Sequence, residues 1–440
     1  MNRCGHLAPM KHPTMATSWH KASARILGSF AWLLVSLALA LALALALALG
    51  SQAWATPIQV QSDADVIETL PLHSAARQQD RRLRQNLAQH PQNVTLALQA
   101  AQTYLDQAHQ QGDARFAGLA LGALAAWDIS ANTAANTSGT PAIPTEVLVT
   151  KATVLQYLHD FDGAQILLRR ALKQAPRHAQ AWITLATIHR VQGRYADSDQ
   201  ACAQVGASGA ALYGEACLAE NQSLRGQQVP ARQRFKQLLA SPSAQGPAGS
   251  GLRQWLWTSM AELEERAGQS AAAEAAWKQA LAEGANGYVR MAWADFLLQQ
   301  QRPREVLRLL AGGSAVPAEA EADAPLLRLA IAASQAGDAR ADAWQTEQAR
   351  RFAASAARPE AARTHAREQA RFALRVAKQP ELALRLAQDN LRQQREPIDL
   401  LIMADAARAQ AGAPQRRAAL QDLQTLTRSM GVHDARLNLP

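Results

Sequence analysis

A chain of 440 residues is long enough for two or three ordinary domains, or for one extended array of small units that pack only on their neighbours. Hydrophobic residues make up 48% but aromatics only 5%, and β-branched runs are scarce beside Ala, Leu, Gln and Arg, which argues against a sheet-dominated fold. The formal charge of +9 falls to +5 beyond Ala55, and the arginines from Arg340 to Arg395 are interleaved with acids without an aromatic-studded basic stripe, so composition argues against a nucleic-acid partner.

The chain opens with four basic residues, Arg3, Lys11, Lys21 and Arg25, and no acid up to Ala55. The uncharged run Ile26 to Leu49 follows, and then Ala53-Trp54-Ala55, with small residues where a signal peptidase would read them for cleavage before Thr56. This pattern is that of a secretory signal peptide. At 24 residues the run is also long enough, at ~1.5 Å per residue, to span a bilayer uncleaved as an inner-membrane anchor. Either way the basic flank holds the N-terminus in the cytoplasm and places the rest in the periplasm.

Beyond the leader, Ser74 to Gln89 reads as a capping helix with the charged face Asp80, Arg81, Arg82 and Arg84. Helical patterns over Val94 to Gln110 and Ala114 to Ala126 form a degenerate pair, and Ile129 to Pro144 reads as a loop. From Thr145 the sequence becomes self-similar. Starts at 145, 179, 212, 254, 287, 323, 364 and 398 are separated by 34, 33, 42, 33, 36, 41 and 34 residues, with a Pro/Gly/Ser-rich insertion from Ser241 to Gly251.

The recurring residues are small or aromatic at fixed offsets: Ala152, Phe161, Ala164 and Ala171 in the first unit; Trp182, Ala186, Gly193 and Tyr195 in the second; Ala219, Gly226, Ala231 and Phe235 in the third; Ala261, Gly268, Ala273 and Trp277 in the fourth. In spacing and residue type these units resemble the tetratricopeptide (TPR) repeat, a pair of antiparallel helices with small residues at the crossing. The resemblance implies an all-α, right-handed superhelical solenoid of eight or nine hairpins. The chain then divides into leader or anchor (1–55), linker and capping helix (56–93), degenerate hairpin and loop (94–144), best-matching repeats (145–322) and degenerate C-terminal repeats (323–440). A nearest-neighbour array of this kind is expected to fray first at its weaker C-terminal units.

No catalytic motif emerges. His73, His90, His109, His159, His178, His189, His365 and His433 form no HExxH, and no phosphate loop, dinucleotide fingerprint or GxSxG is present, so neither an enzyme activity nor a cofactor or metal is expected. The resemblance points instead to the concave surface lined by the first helix of each unit. There the expected contacts are Thr187, Arg190, Tyr213, Glu220, Trp255, Glu262, Arg266, Tyr288 and Asp295, with Tyr213, Trp255 and Tyr288 at the second position of consecutive units. Aromatic anchors beside fixed charges suit capture of a peptide or protein edge. Cys202 and Cys217, the only cysteines after the leader, are expected to form a disulfide in an oxidising compartment, since the antiparallel helices around the Gly206 turn bring them to similar heights.

Overall fold

In the computed structural model the described residues are 75–111, 113–127, 143–312, 322–356, 366–439; the leader, the segment up to residue 74 and most of the loop before Pro144 lie outside them. Among the described residues a first helix, α1 (Ala75–Gln89), precedes nine helical hairpins. These are α2 (Val94–Gln111) with α3 (Ala114–Ala123), α4 (Thr145–Tyr157) with α5 (Phe161–Gln174), α6 (Ala179–Val191) with α7 (Tyr195–Ala207), and α8 (Ala211–Leu224) with α9 (Gln228–Leu239). After two 3₁₀ turns in the Pro/Gly-rich insertion come α10 (Ser250–Arg266) with α11 (Ser270–Glu283), α12 (Gly287–Gln299) with α13 (Pro303–Ala311), and α14 (Asp323–Ala336) with α15 (Ala341–Ala356). The last two pairs are α16 (Ala366–Arg375) with α17 (Pro380–Asn390) and α18 (Pro397–Arg408) with α19 (Ala413–Met430). No strand occurs among the described residues.

Local chemistry sets the hairpin. Within the pairs the crossing positions Ala152, Ala164, Ala186, Ala219, Ala231, Ala261 and Ala273 are buried, because only a small side chain lets two helix backbones approach this closely. Phe161, Phe235 and Trp277 fill the space beside them and are buried too. The turn between the two helices of a pair is closed by Gly193, Gly226 and Gly268 in left-handed backbone, φ 73°, 82° and 73°, where a side chain would be strained. Asp160 and Asn286 accept backbone N–H groups at the starts of α5 and α12, satisfying donors that a helix start leaves open.

The array does not stay open. Helix α12 meets α2, and a Cβ on Gly287 would overlap the carbonyl oxygens of His109 and Gln110. The C-terminal hairpins lie along the turn edge of the early ones: the Arg395 amide donates to the Val191 carbonyl (2.7 Å), His433 to Leu224 (2.9 Å), and Gln394 bonds His159 (3.0 Å). Tyr195 and Leu224 join Leu400, Met403, Leu423, Met430, Val432 and Leu437 in one apolar cluster. A side chain on Gly193 would run into Met430, and one on Gly226 into His433, so these glycines both make the turn and admit the C-terminal segment. The expected nearest-neighbour packing is therefore corrected: the last hairpins are tied to units more than two hundred residues earlier.

One consequence is direct. Gly287→Ala is expected to lower stability by ~1–3 kcal/mol through overpacking against the α2 backbone, read from urea midpoints with the helical spectrum retained.

Candidate interaction groove

The first helices of consecutive hairpins carry a two-rung ladder. At the start of α10, Trp255 donates its indole N–H to Glu220 on α8 (3.0 Å), and at the start of α12, Tyr288 donates its hydroxyl to Glu262 on α10 (2.7 Å). In both rungs an aromatic residue near the start of one helix reaches a glutamate on the first helix of the preceding hairpin. Glu220 also accepts from Ser259 (2.6 Å) and pairs with Arg190, which fixes it. The Tyr213 ring stacks on Trp255 with centroids 5.8 Å apart. Trp255 and Tyr288 thus have their polar ends bonded, while Tyr213 and Tyr288 keep ring surface open, 47% and 59% exposed.

The other expected groove residues divide by burial. Asp295 accepts from Arg328 (2.7 Å) on α14 and Arg371 (2.5 Å) on α16, so it ties three hairpins together. Arg266 is only 5% exposed, donates to Ser223 (2.6 Å), and has its guanidinium pKa pushed down by burial. It belongs to the packing between hairpins, and a charge reversal there would test stability more than binding. Thr187 is half-buried and returns its hydroxyl to the Ile183 carbonyl of its own helix.

Sequence reasoning missed the C-terminal contribution to this interior. Glu396, which caps α18 in a reciprocal box with Asp399, acts electrostatically on His159, Arg190, Tyr195, Glu262 and Tyr288. Burial acts to raise its carboxyl, but Arg367, bonded to both Glu396 and Asp399, outweighs that and holds it below the ordinary range. Glu262 is different: burial comes first and raises its carboxyl against the pull of the Arg266 charge and the Tyr288 hydroxyl, and it makes no ion pair among the described residues. The Glu396-Pro397 sequence does mark a helix start. Nothing in it says which distant residues that start will face.

Two further groups lie apart from these groove contacts. His189 has its pKa pushed down to about 4 by burial beside Arg194, and its Nδ1 has no hydrogen-bond partner. Cys202 and Cys217 are buried and bonded to each other, with Cα atoms 5.6 Å apart, within the span that a disulfide bridges.

No protein-family model matches the chain, and no curated protein does. Among solved structures, it is similar to the TPR domain of P58(IPK) at 16% identity, covering 71% of this chain and 94% of that one, with a TM-score of 0.20.

Proposed function

We propose that the protein is a non-enzymatic scaffold of the bacterial periplasm that binds a peptide or protein partner along the inner face of its helical hairpins. The observation that carries this reading is the ladder itself: Tyr213 and Tyr288 are exposed on the inner helices although their neighbours are fixed by hydrogen bonds. Exposed, pre-ordered aromatic rings lose little conformational freedom on binding and dominate recognition energetics in protein interfaces. Tyr213→Ala combined with Tyr288→Ala is expected to weaken partner capture from envelope extracts at least tenfold while the helical spectrum is unchanged. Unchanged capture by the doubly substituted chain would move the binding face elsewhere.

The compartment is a separate part of the proposal and rests on the sequence before Thr56. N-terminal sequencing of the envelope protein is expected to read Thr56-Pro57-Ile58, and an intact leader would instead support a membrane-anchored assembly factor. No helix of the described residues is long and apolar enough to cross a membrane. An oxidising compartment also fits the Cys202–Cys217 bond, which closes a 15-residue loop and would contribute ~3 kcal/mol by restricting the unfolded chain. Thiol labelling of the denatured, unreduced mature protein is expected to find no free cysteine; two labels per chain would count against both the bond and export.

A further inference from the structure

Resting on the groove reading above, we infer that the inner face takes a basic segment of its partner, with a Lys or Arg side chain seated against Glu262 and the exposed ring of Tyr288. Three observations converge on this chemistry. Glu262 is held in place by the Tyr288 hydroxyl (2.7 Å) but is matched by no ion pair among the described residues, whereas Glu220, Glu396, Asp399 and Asp295 each have an arginine. Arg266, one turn along α10, is the main positive charge acting on Glu262, but it is buried and bonded to Ser223 (2.6 Å) and makes no ion pair with that carboxylate.

Two carboxylates, Glu262 and Glu396, act on the exposed ring of Tyr288. The Tyr288 phenol is raised well above its ordinary value, first by the Glu262 charge, then by burial and by Glu396, with Arg367 only partly offsetting them. Gly287, the residue before Tyr288, lies against the His109 and Gln110 carbonyl oxygens at the C-terminal end of α2, the electronegative end of a helix. The Tyr288 ring supplies the remaining component, because a cation over an aromatic face is attracted by its quadrupole, most strongly when it leaves bulk water. A carboxylate-bearing partner would instead meet Glu262 and Glu396 as like charges, and an all-apolar one would cover Glu262 with no ion pair to replace its water.

The test is a selection of random dodecapeptides displayed on phage against the full-length chain. Enriched peptides are expected to share a Lys or Arg, and their binding is expected to fall on the order of tenfold for Glu262→Gln and further for Glu262→Lys, with the helical spectrum checked for each. Tyr288→Ala, a change at an exposed position that spares the core, provides the second variant. If the enriched peptides are acidic or uncharged but are lost with Tyr288→Ala, the groove stands and the basic-segment inference falls. If they survive Tyr288→Ala and Tyr213→Ala, or if nothing is enriched, the groove reading falls and the inference with it.

Discussion

Replacing Asp295 by alanine is expected to destabilise the protein by up to ~3–5 kcal/mol, because it leaves two buried guanidiniums, Arg328 and Arg371, with only the longer contacts to Glu368 (3.9 and 3.5 Å) as counter-charge. Both arginines are less than a tenth exposed, and Arg371 reaches across 76 residues of sequence to α12, so no solvent replaces the lost carboxylate. The sign of the pH dependence follows from the carboxyl itself. Burial alone would raise its pKa, but Arg328 and Arg371 outweigh burial and hold it below the ordinary value of 3.8. Its contribution is therefore present above that value and is lost as pH falls through the depressed folded pKa. Urea titrations of Asp295→Ala and the parent chain are expected to differ most at neutral pH and to converge in strong acid. A difference that is small at pH 7 would show that the α12–α14–α16 junction does not depend on this carboxylate.

Deleting Gly431–Pro440 is expected to cost a similar ~3–5 kcal/mol, since it removes Arg436 from the mostly buried Glu265 and strips Val432 and Leu437 from the apolar cluster at the turn edge. The backbone bond from His433 to Leu224 goes with them. Glu265 also sets a pH signature. Burial outweighs the Arg436 charge and pushes its carboxyl up to about 7, so the folded state binds this proton more tightly than the unfolded chain. Its contribution favours the fold below the unfolded value of 4.5 and is lost as pH rises through about 7. In the intact chain, hydrogen exchange of α18 and α19 is expected to be as slow as that of α6 and α8, whereas in the truncated chain the C-terminal hairpins should exchange first. Early C-terminal exchange in the intact chain would instead support a nearest-neighbour array.

The hairpins were legible in the sequence because a helix pair needs small residues at its crossings and a left-handed turn, and Ala186, Gly193, Ala219, Gly226, Ala261 and Gly268 recur at the same offsets. The aromatic positions Tyr213, Trp255 and Tyr288 could be read for the same reason: a periodic fold repeats its faces. The folding back of the C-terminal hairpins had no such signal. The bond from Gln394 to His159 spans 235 residues and occurs once, and a contact that does not repeat leaves no period. Arg266 shows the related limit: helix spacing places it on an inner face, but whether that face is open depends on what the next hairpin and the C-terminal segment cover. In the degenerate final third, the proposed start at 364 lies just before Ala366–Arg375, where insertions and weak repeats blur the boundary.

The central claim, that the inner face is where a partner binds, is tested most directly by a photo-crosslinking amino acid placed singly at Tyr213, Tyr288 and, as a control, at Val229, which is 74% exposed on α9. Irradiation in cells is expected to yield the same partner adduct from Tyr213 and Tyr288 and none from Val229; an adduct from Val229 with none from the two tyrosines would contradict it.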